Sequence, residues 1–166
     1  MGIQGEVVED GITLEENAYK KAKFASDQSG MWAIADDTGL YIEALDGQPG
    51  IHAARWAGDN LTTEEIMRFT LNKLEGVPLE KRSAVFRTVA VVVSPGGQKF
   101  LFHGSVSGIL LPEPRTACQL NMPYSAIFLP NGSNKVWAEM TVEEENERSH
   151  RGIAFRQVRK FLHRLL

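Results

Sequence analysis

Met31-Trp32-Ala33-Ile34-Ala35-Asp36-Asp37-Thr38-Gly39 is an apolar run that stops on two adjacent carboxylates. A run of that length reads as a buried strand, and its acids then fall at the C-terminal end, where α/β sheets place their chemistry. Upstream, Thr13 and Glu16 form a capping-box pattern that opens a stretch with Leu14, Ala18, Ala22 and Ala25 on one face, closed by Gly30. The spacing predicts a helix over 14–29 whose alanine-rich stripe suits close packing on a sheet.

Downstream, a second capping box, Thr62 to Glu65, starts a helix with Ile66, Met67, Thr70, Leu71 and Leu74 on one side, ended by Gly76 and Pro78. Two strand-like runs follow, Ala84–Val93 and Lys99–Ser105, with Ser94-Pro95-Gly96-Gly97 as a hairpin signal between them. Residues 109–135 hold four of the seven prolines and read as strand pieces and loops, Ser125–Phe128 being the clearest strand. A last helix is predicted over about 152–165 from Phe155, Val158, Leu162 and Leu165. No repeat or linker marks a second domain, so residues 1–166 read as one domain of α/β or α+β class with a mixed sheet flanked by helices.

Composition sets the outer bounds. A chain of 166 residues, 43% hydrophobic and 23% charged, is long enough to bury a real core. A net charge of -3 argues against coating a nucleic acid, and no nucleic-acid partner is expected. No run of about 18 apolar residues is present, and Met1–Glu6 is neither basic nor followed by an apolar stretch, so neither a membrane span nor a secretory leader is expected. Cys118 is the single cysteine, which excludes an intrachain disulfide or a cysteine zinc site and suits a reducing cytoplasm. Five glutamates and no basic residue lie between Glu139 and Glu147, whereas five basic residues and no acid follow from Arg151. A final helix with its basic end complementing its own dipole accounts for this better than a polyanion-binding arm.

Three groups of residues have chemical promise. Asp36 and Asp37 repel each other at a strand end, so the pair calls for a divalent cation or a shared proton. Equally, one acid can cap a turn into Thr38-Gly39 while the other faces water. Oxygen donors without a cysteine or histidine cluster suit Mg²⁺ rather than zinc. Glu15 and Glu16 begin the first helix, with Glu16 in the capping box, and Lys20, Lys21 and Lys23 follow on either a phosphate-facing or a solvated surface. Pro49-Gly50 ahead of Arg55 suggests a tight loop presenting one cation. Ser149-His150-Arg151 sets three donors before the last helix, either to read an acceptor or only to cap it. His52, His103 and His163 have no metal-ligand spacing.

Taken in order, Thr13-Leu14-Glu15-Glu16-Asn17-Ala18, Ala35-Asp36-Asp37-Thr38-Gly39-Leu40, Pro49-Gly50-Ile51-His52-Ala53-Ala54-Arg55, Ala138-Glu139-Met140 and Ser149-His150-Arg151-Gly152 resemble the inosine/xanthosine triphosphate pyrophosphatase family. Each motif alone is weak, but five in the family's order are specific. The resemblance implies a mixed α/β fold with a long central sheet, a homodimer, and a purine nucleotide as partner. It implies Mg²⁺-dependent hydrolysis of ITP, XTP or dITP to monophosphate and pyrophosphate. By the same resemblance Asp37 matches the general base and, with Asp36, the metal site. Lys21 and Arg55 match phosphate-facing positions, and Thr38 beside the acids is grouped with the substrate contacts. Ser149, His150 and Arg151 match the cluster reading the purine edge, whose donors favour the O6 acceptor over an amino group.

The chain also departs from the family. It starts beyond the usual first strand and T-G-N-x-x-K phosphate loop, so a fold lacking both is expected. The metal-binding glutamate falls on Val8, with Glu9 as a stand-in. The F-G-Y/W-D-P segment becomes Met122-Pro123-Tyr124-Ser125-Ala126, leaving Tyr124 as the base-stacking aromatic, and the lysine ahead of S-H-R becomes Glu145. Impaired hydrolysis is the resulting expectation. The alternative is an inactive relative that binds a nucleotide or a protein partner.

Overall fold

The computed structural model describes residue 5 and residues 7–165. Helix α1 spans Leu14–Ser29, where the caps place it: Thr13 Oγ1 accepts from Glu16 N, and left-handed Gly30 (φ 67) donates its N–H to Ser26 O. The buried stripe is Leu14, Asn17, Ala18, Ala22 and Ser26. Ser26 takes the inward place expected for Ala25, as the 3.6-residue period dictates, and its hydroxyl donates to Met31 O at 2.7 Å.

Strand β1 corrects the reading of residues 31–39. It runs Ala33–Ile42, so the two aspartates lie in its middle rather than at its end. Nor is the apolar run fully buried, since Met31, Trp32 and Ile34 are 64%, 45% and 41% exposed. The strand continues through the acids, and each of them meets a cationic side chain. Near its end β1 pairs antiparallel with the short β2, Pro49–Gly50, through Leu40 and Tyr41.

Helix α2, Thr63–Lys73, has the full Thr62/Glu65 capping box. Strands β3, Ser83–Val93, and β4, Lys99–Leu110, are joined by a turn in which Ser94 N donates to Gln98 O and Gly97 N to Ser94 O. Strand β4 continues past Ser105 and pairs antiparallel with β5, Phe128–Pro130, leaving only Phe128 of the predicted Ser125–Phe128 strand in a strand. Helices α3, Val142–Arg148, and α4, His150–Leu165, follow. The sheet order is β2-β1-β3-β4-β5, in keeping with the α/β class.

Contacts group the described chain into two compact units. One comprises the chain up to Thr38, Arg87–Ser105 and Ser149 onward; the other comprises Gly39–Phe86 and Val106–Arg148. In the first, Ala90 and Val92 of β3 pack with Ala154 and Val158 of α4, and Phe100, Phe102 and Phe161 form a cluster beside them. The second has its own core, including Leu40, Ile42, Leu74, Phe128 and Trp137.

Within the first unit β4 comes very close to the start of α4. A Cβ at Gly104 would lie inside contact distance of the His150 carbonyl and 2.9 Å from Ala154 N. Backbone on both sides leaves nothing flexible to move. Gly104→Ala is expected to lower stability in urea denaturation by at least about 2 kcal/mol, in the range of overpacking a filled core; an unchanged midpoint would contradict this contact.

Candidate active site around Asp37

Successive side chains on a strand point to opposite faces, and this separates the two aspartates. Asp36 meets Arg151 of α4, with Arg151 Nη2 donating to Asp36 Oδ1 at 2.8 Å. Asp37 meets α1. Its Oδ1 accepts from Lys21 Nζ at 2.9 Å and its Oδ2 from Asn17 Nδ2 at 3.3 Å. Asn17 and Lys21 are one helical turn apart, so both reach the same carboxylate from one face of α1. The structure thus brings Asp37 and Lys21 together and sends Asp36 and Arg151 to the other side of the strand.

Glu9 completes the α1 side. Lys21 Nζ lies 3.0 Å from Glu9 Oε1, so one ammonium joins two carboxylates, whereas Val8 is 74% exposed. Lys20 and Lys23 instead make surface pairs with Asp10 and Asp27. Asp37 is 9% exposed, and burial pushes its carboxyl above the ordinary aspartate value while Lys21 and Asn17 pull it partly back. Burial opposes the charge on Lys21, but the hydrogen bonds and charges of Asp37 and Glu9 outweigh it and hold its pKa raised.

The other candidates are placed less directly. Thr38 Oγ1 is 2.6 Å from Thr88 Oγ1 on β3. Ser149 caps α4, its hydroxyl accepting from Gly152 N at 3.0 Å. His150 is 7% exposed, and burial, with the neighbouring Arg151 charge, lowers its pKa to about 4. Arg151 remains exposed, its guanidinium also lying 5.9 Å from the Phe155 ring centroid. In the second unit, Arg55 is exposed with Nη2 3.4 Å from His52 Nδ1. Tyr124 is only 3% exposed there, and its hydroxyl donates to Ala53 O at 2.8 Å. Its phenol is pushed up to about 12 by burial, and its ring packs edge-on to Phe86. The structure therefore places Tyr124 in a core, not open to stack on a base. Glu145 is half-buried and accepts from Gln119 Nε2 at 3.4 Å.

Asn17, Gly11, Thr88 and Gly104 matter to this arrangement and were not legible as functional positions. Asn17 carried one signal: an amide on the inward stripe of an alanine-rich helix must satisfy its polar atoms somewhere.

Among the described residues no three or more His, Cys, Asp or Glu converge on one point. Mg²⁺ does not need such a cage, because it binds through one or two carboxylates and takes water and phosphate oxygens for the rest. Glu9 and Asp37, two hard carboxylates already sharing one cation, fit that requirement.

The molecule is thus a mixed α/β protein in which a buried strand carboxylate is held by side chains of one helix. Residues 1–161 match the Ham1 family model, and the chain belongs to the Ham1 family. It is 42% identical over 149 residues to a dITP/XTP pyrophosphatase of Geobacter sulfurreducens, covering 90% of this chain and 74% of that one. A dITP/XTP pyrophosphatase of Frankia alni is 41% identical over 166 residues, covering 97% and 81%. Among solved structures, the Ham1 protein of Staphylococcus aureus superposes with a TM-score of 0.87 at 33% identity, covering 98% of this chain and 82% of that one. A HAM1 protein from Coxiella burnetii also gives 0.87, at 34% identity, covering 96% and 81%. No helix among the described residues is long and apolar enough to cross a membrane.

The buried His150 gives a pH signature. Its folded pKa of about 4 lies below the ordinary 6.5, so the neutral form is favoured by folding. That stability is fully present above pH 6.5 and is lost as pH falls toward 4, by up to roughly 3 kcal/mol. His150→Asn is expected to flatten the fall in melting temperature over that window; an identical pH dependence in parent and variant would count against it.

Proposed function

We propose that this chain hydrolyses non-standard purine nucleoside triphosphates, such as ITP, XTP and dITP, to monophosphate and pyrophosphate. The observation carrying the reading is Asp37: a carboxylate nearly out of water, raised by burial, with one oxygen on Lys21 and Glu9 beside it. The relatives named dITP/XTP pyrophosphatase support the substrate class.

Mg²⁺, held by Glu9 and Asp37, would supply charge neutralisation for the triphosphate. Asp37 is the base for the attacking water and takes up its proton. Water adds to the α-phosphorus, the bond to the bridging oxygen breaks, and pyrophosphate leaves with that oxygen. Lys21 is the residue on α1 whose ammonium can exchange its carboxylates for phosphate oxygens. By the resemblance Ser149 and Arg151 would read the purine edge; here Arg151 is anchored through one nitrogen on Asp36 and Ser149 caps α4.

Turnover is expected to be slow. Glu145 puts a carboxylate where the resemblance places a substrate-binding lysine, and Tyr124 is enclosed in a core. A second reading, nucleotide binding without turnover, is favoured by Glu145, the acid that stands where the resemblance places a lysine.

The deciding assay measures pyrophosphate release with Mg²⁺ from ITP and XTP against ATP. The account expects release from the 6-keto nucleotides over ATP and a loss of about 10²-fold or more in Asp37→Asn, the scale of general-base removal. Arg151→Ala should level the preference between bases. Undiminished turnover in Asp37→Asn would refute the assigned role, and binding of ITP with no release would establish the second reading.

A further inference from the structure

The two oxygens of Asp37 are held by different kinds of partner. Oδ1 takes the ammonium of Lys21, which has a long stem, is 24% exposed at its side chain and is shared with Glu9. Oδ2 takes the amide of Asn17, which is 1% exposed on the inward stripe of α1. The amide cannot rotate freely, because its Oδ1 accepts the Gly11 N–H at 2.8 Å, and that bond turns Nδ2 toward Asp37. Nor can Gly11 be replaced without disturbing it: a Cβ there would lie 2.6 Å from Asn17 Oδ1 and 2.9 Å from Glu16 Cβ.

One partner is therefore fixed and the other exchangeable. We propose that Asn17 is a positioning residue that commits Asp37 Oδ2 permanently, so that Oδ1, on the side reached by Lys21 and solvent, is the oxygen that reacts. Gly11 sets the direction of the Asn17 amide by its N–H and by its lack of a side chain. This inference rests on the hydrolytic reading of the same site.

The test uses two substitutions and one measurement without nucleotide. Asn17→Leu keeps the branched side-chain outline and the helix but removes both the donor to Asp37 and the acceptor for the Gly11 N–H, so the protein is expected to stay folded with a melting temperature lowered by several degrees. A misplaced reacting group can cost on the order of 10²-fold, so kcat for ITP should fall by about that factor while KM stays within about threefold. Gly11→Ala should lower kcat in the same sense. In nitrogen-15 spectra of the unliganded protein, the Asn17 side-chain amide should exchange slowly with solvent and shift when Asp37 is changed to Ser.

A folded Asn17→Leu protein with parental kcat, or with KM rising in step with the loss, overturns the positioning role. So does an Asn17 amide resonance unmoved by Asp37→Ser, even where the parent turns over ITP. A parent protein that shows the resonance but releases no pyrophosphate overturns the hydrolytic reading and the assignment of Oδ1 with it, so the two failures are distinct.

Discussion

A carboxylate nearly removed from water in the middle of a strand is the constraint around which the first unit is arranged. Burial disfavours the charged form of Asp37 and raises its pKa, and donors from Lys21 and Asn17 offset part of that cost. Helix α1 supplies those donors from two positions one turn apart. A short side chain such as Asn17 reaches the strand only when the helix lies close, and Ala18 and Ala22, both fully buried, allow that approach. The alanine stripe of α1 and the buried acid of β1 are thus two sides of one requirement.

The opposite face of β1 follows the same logic with different residues. Asp36 is met by Arg151 in the first turn of α4, whose position depends on the absence of a side chain at Gly104 and on the Ser149 cap. Strand alternation gives adjacent aspartates two separate tasks. One anchors the Arg151 guanidinium; the other is a buried carboxylate held by Lys21 and Asn17. The geometry associates Glu9 rather than Asp36 with Asp37 as the second carboxylate around one cation. A cation between Glu9 and Asp37 needs no third protein carboxylate, which matches oxygen donors set apart from any cysteine or histidine cluster among the described residues.

Legibility followed the range of the interactions. Helix α1 was readable to the residue because Thr13 and Gly30 act within their own turns, and the Ser94–Gly97 hairpin was equally local. Strand β1 was read as ending too early: an apolar run followed by acids looks like a strand end until Lys21, sixteen positions away, and Arg151, more than a hundred away, supply the partners. For the site, Asp37, Lys21 and Arg151 were marked by motif order, but their grouping was not. The family pattern puts Val8 at the glutamate position with Glu9 as the stand-in, and Glu9 is the one that shares Lys21 with Asp37. Tyr124 could not be told from a stacking residue, since its core environment comes from Phe86 and Ala53, distant in the chain.

The central claim is that the α1 face of Asp37 is where a nucleotide's phosphates and its metal meet the protein. The most direct measurement is a crystal structure with Mg²⁺ and a non-hydrolysable ITP analogue. The account predicts a phosphate oxygen on Lys21 Nζ, a metal ion between Glu9 and Asp37, and the Asn17 amide still on Asp37 Oδ2. A nucleotide bound elsewhere, with the Lys21 pairs to Asp37 and Glu9 intact, would contradict it.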